Sequence, residues 1–143
     1  MLKINRLSLD EARTLIAGAR TKAVEIGVPM CIAVADESGN LVAFERMDGG
    51  KVTSVFIAQD KAFTAAGAKR TTESYGLASQ PGQPAYGISS AIGGRLVVVA
   101  GGIPVIIDGE VVGAIGLSSG TPAQDTECAQ AGIDSFLGSF HSS

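Results

Sequence analysis

Apolar positions Leu9, Ala12, Leu15, Ile16, Ala19, Ala23 and Ile26 recur at the spacing of one helix face. Ser8 and Glu11 stand ahead of them as N-cap and N3 of a capping box, and Gly27 with Pro29 ends the run. The pattern predicts a helix over residues 9–26. The period then drops to two. Met30 to Ala35 and Asn40 to Arg46 read as strands joined by the turn Asp36-Glu37-Ser38-Gly39, an antiparallel hairpin. In the second strand Val42, Phe44 and Arg46 share one face, and Leu41, Ala43, Glu45 and Met47 share the other. A second helix follows, capped by Thr53 or Ser54 and running to about Lys69. Its apolar stripe is Phe56, Ala62, Phe63 and Ala66, interrupted by Gln59, Asp60 and Lys61.

Thr71 to Ala91 lacks a period, and Pro81, Gly82, Pro84 and Gly87 predict a loop there. A loop of that length points to function or assembly. Arg95–Ala100, Ile103–Ile107 and Glu110–Leu117 read as strands, the last two joined by the hairpin pair Asp108-Gly109. Pro104 lacks a donor, so its strand lies at an edge or bulges. Val111 to Leu117 is apolar or small on both faces, which predicts a central strand. Thr121-Pro122-Ala123-Gln124 is a second capping box, and Ala129, Ile133, Phe136, Leu137 and Phe140 make the inner stripe of a last helix. Hairpin strands with terminal helices predict one α+β domain over residues 1–143. Its sheet would be five-stranded and antiparallel, with the terminal helices packed on one face.

Composition narrows the function classes. At 45% apolar residues the chain is globular. A formal net charge of −3, with no basic stripe, argues against nucleic acid as a partner. No run approaches the roughly 18 apolar residues of a membrane span. The start, MLKINRLSLDEA, lacks the apolar stretch of a signal peptide, so a cytoplasmic protein is the expectation. Cys31 and Cys128 have no paired spacing and read as reduced, buried thiols. His141 is the sole histidine, which argues against a histidine-based metal site or a Ser-His-Asp triad within one chain. No metal ligands are assigned. The excess of glycine and alanine lets helices, subunits or a ligand come close to the backbone, and a homo-oligomer is the expectation.

Two stretches carry candidate chemistry. In "ERMDGGK" the charges of Glu45, Arg46, Asp48 and Lys51 surround a glycine pair; they make either a solvated turn or the lip of a site. Lys61 lies among Ala58, Ala62 and Ala65, where it either snorkels or meets a carboxylate, and Asp48 is the nearest candidate in sequence. Lys61 and Asp48 are thus the candidates for acid–base work, with Arg46 as a bidentate grip on a ligand carboxylate. In "GLSSGTPAQD" a strand, a turn and a helix start follow one another. Ser118, Ser119, Gly120 and Thr121 either cap that helix or hold an anion at its N-terminus. Asp125 favours the helix start electrostatically and is also a ligand candidate. Tyr86 closes over a pocket or packs against a neighbour. Nucleotide binding lacks support, since neither GK[ST] nor GxGxxG occurs.

The stretches "DESGNLVAFERMDG", "IAQDKAFTAA" and "GGIPVIIDGEVVGAIGLSSGTPAQDTECAQAG" together resemble the GlcG/HbpS-like family, also described as a haem-degrading domain and related to the C-terminal domain of PduO adenosyltransferases. The resemblance covers nearly the whole chain. It implies a profilin-like fold, a homo-oligomer (an octamer or a smaller assembly of dimers), a small-ligand or tetrapyrrole pocket for haem or a corrinoid, and a setting in small-molecule catabolism. It also supports grouping Arg46, Asp48 and Lys61, and it keeps Asp125 as a candidate. Two function classes follow. One is an intracellular binding module for a small organic acid, haem or corrinoid. The other is a small catabolic enzyme, an isomerase, hydratase or lyase, that uses Lys61, Asp48 and Arg46 on a small carboxylate.

Overall fold

The structure is a computed structural model that describes residues 1–142. Helix α1 spans Leu9–Ile26, strands β1 Cys31–Asp36 and β2 Leu41–Arg46, helices α2 Ser54–Ala68 and α3 Thr72–Ala78, strands β3 Gly102–Ile107 and β4 Glu110–Ser118, and helix α4 Pro122–Ser142. Short 3₁₀ turns at Ile88–Ser90 and Ile92–Gly94 interrupt the connection from α3 to β3. The capping box at Ser8 and Glu11 forms, and Gly27 closes α1 in the left-handed region at φ 72°. Asp108 and Gly109, at φ 51° and 80°, make the tight β3–β4 turn.

The sheet is antiparallel with four strands in the order β2-β1-β4-β3, not five. The missing strand is Arg95–Ala100. Its side chains have the right propensity, but its backbone is taken by helices. Thr64 Oγ1 donates to the Asp60 carbonyl at 2.6 Å, lies 3.3 Å from the Arg95 carbonyl and accepts from Val97 N–H at 3.0 Å. Thr72 Oγ1 accepts from Gly102 N–H at 2.9 Å. Pro104 falls on the edge strand β3, where its missing donor costs nothing. The stretch 71–91, expected to be irregular, holds one regular element, α3, whose Thr71 side chain accepts from Ser74 N–H.

Helices α1 and α4 pack on one face, against a core of Ile16, Ile32, Val34, Ile115, Leu117 and Phe136. Helix α2 covers the other face, where Ala33 and Ala35 of β1 and Ala114 of β4 meet Ala58, Ala62, Ala65 and Ala66. Gly116 makes this contact close. A Cβ there would lie on the Ala58 carbonyl and 2.5 Å from Ala62 N. Gly102 is similar, with the Lys61 carbonyl 2.6 Å from its would-be Cβ.

Candidate functional site

Close approach of α2 brings Lys61 over the end of β4. The side chain is 2% exposed, the largest fully buried side chain among the described residues. Its Nζ donates to the Leu117 carbonyl at 2.8 Å and to Asp125 Oδ2 at 3.0 Å. Asp125, in the first turn of α4, is itself buried, and its Oδ1 accepts from Gly120 N–H at 3.0 Å. One amine and one carboxylate therefore join α2, β4 and α4. Gly101, at φ 129°, lies against this pair; a Cβ there would stand 2.8 Å from the Lys61 nitrogen. Burial pulls the Lys61 pKa down from 10.5, and the adjacent Asp125 carboxylate works against that shift.

The carboxylate that meets Lys61 is thus Asp125, not Asp48. Asp48 and Arg46 are exposed at the end of β2, so the grouping of Lys61, Asp48 and Arg46 is not formed. Asp125 carries a sequence signal that the reading of helix 4 did not use. It falls three and four residues before Cys128 and Ala129, both buried, so it shares their inward face. A lysine set in an alanine stripe needs a carboxylate that also faces inward.

The turn before α4 is closed on itself. Thr121 Oγ1 accepts from Gln124 N–H at 3.2 Å, and Gln124 Oε1 accepts from Thr121 N–H at 2.9 Å, the second capping box. Gly120 N–H is given to Asp125, so three of the backbone donors around this helix start have partners within the turn. The hydroxyls are engaged as well. Ser118 Oγ donates to Ser54 Oγ at 3.0 Å, and Ser119 Oγ accepts from Lys51 N–H at 3.0 Å. Ser119 has φ 114°, an uncommon value for a residue with a side chain. Ser118, Ser119, Gly120, Thr121 and Asp125 therefore join the ends of β4 and α4 to α2 and to the residues before it. Tyr86 is exposed on the loop after α3.

A different surface lies beside this junction. At the start of α2, Val52 and Phe56 are 73% and 72% exposed, and Ile57 is partly exposed next to them. Val52 lies two residues ahead of α2, and Phe56 lies in its first turn. Arg46 and Lys51 are exposed just ahead of them in the chain. Arg46 lies across from Cys31 in the sheet, and its Cγ is 3.4 Å from where a Gly50 Cβ would be, so it stands against the turn that leads into α2. Neither cation has an ion pair among the described residues. Val52, Phe56 and Ile57 thus leave apolar surface exposed, a platform next in the chain to two cations without ion pairs. Phe56, which the periodicity assigns to the apolar stripe of α2 with Ala62 and Ala66, is exposed while those alanines are buried.

No group of three or more His, Cys, Asp or Glu side chains among the described residues could hold a metal. No helix among them is long and apolar enough to cross a membrane.

Comparison with known proteins assigns the lineage. The family described as haem degrading protein HbpS-like matches residues 7–134. A 15.0 kDa protein encoded in the dhaT-dhaS intergenic region of Citrobacter freundii is 38% identical over 134 residues, 94% of each chain. The crystal structure of Klebsiella pneumoniae protein ORFY superposes with a TM-score of 0.93 at 36% identity, covering 96% of this chain and 94% of that one. The structure of a PduOC:heme complex superposes with a TM-score of 0.87 at 31% identity, covering 91% and 94%. With the matched family spanning nearly the whole length and the architecture shared along it, the chain belongs to the HbpS-like family.

Proposed function

We propose that the protein is a small-ligand-binding protein whose ligand is a planar, largely apolar molecule with carboxylates at one edge, the tetrapyrrole class to which haem belongs. The observation that carries this reading is the platform at the start of α2. Val52 and Phe56 offer apolar surface to a ring system, and Arg46 and Lys51 offer charge to carboxylates at its edge. Haem bound to the related PduOC supports the class. These residues fit the ring and the carboxylates. They supply no imidazole, since His141 lies on α4, across the sheet from α2. Haem bound here would supply iron chemistry, while this chain would hold the macrocycle and its carboxylates and shield one ring face from water. A corrinoid is a weaker fit, because the cations would have no carboxylates to hold.

The binding reading stands above acid–base catalysis by Lys61 for a physical reason. A general base must reach its proton, and the Lys61 amine is enclosed by Leu117, Asp125 and Gly101. The platform also suits an oligomer, as do the exposed Leu77 of α3 and Tyr86, Ile92 and Val99 between α3 and β3. A homo-oligomer, an octamer or a smaller assembly of dimers, is therefore part of the proposal. So is a cytoplasmic setting, which suits two buried free thiols.

Haemin titration followed by its Soret band tests the proposal. Wild type should bind, and Phe56→Asp together with Arg46→Ala should weaken binding about tenfold or more, by about 1.4 kcal/mol. Unchanged affinity in the double variant removes the platform from consideration.

A further inference from the structure

A cavity lies at the opposite end of the fold from the platform, on the α1/α4 side of the sheet. Its volume is about 260 Å³. The chain before α1 enters along β4, with Leu7 N–H donating to the Val112 carbonyl at 3.1 Å. That segment, the first turn of α1, the β3–β4 turn and the last turns of α4 enclose the space. Leu7, Val112 and Phe136 are core residues that show only their last few percent of surface there. Ile107 and Phe140 add apolar surface, Asn5, Arg6, Glu11 and Asp108 make the rest of the lining polar, and the rings of Phe136 and Phe140 lie 5.6 Å apart at 39°.

Size limits the occupant. An apolar cavity of about 150 Å³ holds benzene, and drug-sized ligands need about 300–1,000 Å³. The cavity therefore suits one or two fused rings, and a tetrapyrrole is too large for it. The exposed ring of Phe140, backed by the buried ring of Phe136, favours an aromatic occupant.

Charge at the mouth sets the sign of its substituent. Arg6 is committed elsewhere: its guanidinium donates to both Glu37 oxygens, at 2.8 and 2.5 Å, and lies 3.6 Å from Asp36. That pairing holds the Glu37 pKa down at about 2. The Asn5 amide donates to Glu110 at 3.2 Å. Glu11 accepts from Ser8 N–H through Oε1, and its second oxygen has no hydrogen bond or ion pair among the described residues. Asp108, held at the turn, has no ion pair among them either. The uncommitted charge at the mouth is thus acidic, from Glu11 and Asp108.

We propose that this cavity is a second binding site, for a small aromatic cation with one or two rings and an ammonium group on a short arm. The rings lie against Phe140 and Ile107, and the ammonium reaches Glu11 and Asp108. The site is separate from the platform on α2, which lies across the sheet.

Tryptamine is a suitable probe, because the chain has no tryptophan and indole emission reports the ligand alone. Titration of the protein into tryptamine should shift the emission to the blue and saturate. Indole-3-propionate, with the opposite charge, should bind at least about threefold more weakly, the scale of an exposed ion pair. Glu11→Gln with Asp108→Asn should erase that preference, and glutamine preserves the capping box. Phe140→Ala, at a partly exposed position, should weaken both probes. Phe56→Asp, on the distant platform, should change neither. No blue shift with tryptamine, equal affinity for the two probes in wild type, or loss of binding in Phe56→Asp would each overturn the proposal.

Discussion

The two faces of the sheet are built differently. On the α1/α4 side, Ile32, Val34, Ile115 and Leu117 project large aliphatic side chains into an ordinary core. On the α2 side the same strands present Ala33, Ala35, Ala114 and Gly116. The first face gains stability from buried apolar area. The second gains from nearness. With little side chain between them, the α2 backbone lies almost on β4, and a long lysine can run along the interface to reach Asp125 on the next helix. The charged pair and the small residues are one arrangement, because a larger residue at Gly116 would lift Lys61 away from its partners.

The largest expected effect comes from breaking that pair. Lys61→Met should cost about 3–5 kcal/mol, since it strands the Asp125 carboxylate in the interior. Lys61→Met with Asp125→Asn should recover much of the loss, because asparagine is neutral and still accepts from Gly120. Urea denaturation gives both values. A loss below about 1 kcal/mol in the single variant would show that the carboxylate finds water, and the picture of a dry face would fall. The pair should also respond to pH. Burial lowers the folded-state pKa of Lys61 below 10.5, so between the two values the unfolded chain binds more protons at this residue than the folded chain. The stability Lys61 contributes therefore rises with pH across that window, and the gap between wild type and Lys61→Met should widen on the approach to 10.5.

Adding and removing one methyl group compares the faces directly. Gly116→Ala pushes a Cβ into the Ala58 carbonyl and Ala62 nitrogen, both backbone atoms with little freedom to move. A cost of about 1–3 kcal/mol is expected, as for an overpacked core. Ile32→Val, on the face of large side chains, should cost about 0.5–1.5 kcal/mol. Thermal melts that reverse this order would mean that α2 floats on the sheet, and the close contact would lose its role in holding Lys61.

Much of this asymmetry was legible in the sequence, and some was not. Both capping boxes, the Asp108-Gly109 turn and the periodic helices are local, and each signal lies within a few residues of its effect. Arg95–Ala100 failed as a strand because its competitors are distant. Thr64 takes the Val97 N–H, and Gly76 lets the Val98 carbonyl come close, where a Cβ would collide with it. Phe56 failed as a core residue because α2 buries its alanines and keeps its aromatic outside, the reverse of the usual preference. Lys61 was legible as an anomaly, a charge in an alanine stripe. Its partner was not, because Asp125 lies 64 residues away and only the fold puts the two side by side. Proximity in sequence favoured Asp48, but the turn at Gly49-Gly50 leaves that carboxylate in solvent.

The smallest expected effect concerns a glycine of α2 that faces the other way. A Cβ at Gly67 would meet nothing within 4 Å, and its φ lies outside the left-handed region. The residue is exposed and inside the helix, next to its last residue, Ala68. Alanine there lowers the entropy of the unfolded chain and favours helix, by about 0.5–1 kcal/mol in a helix interior. Fraying near the end trims the gain, so Gly67→Ala should stabilise by about 0.5 kcal/mol, read as a small rise in melting temperature. The same substitution thus carries opposite signs at Gly67 and Gly116. Helix preference decides the first, and distance from α2 to the sheet decides the second. If Gly67→Ala destabilised instead, its exposed side would have to be covered by another chain, and the outer surface of α2 would be an interface rather than an open platform.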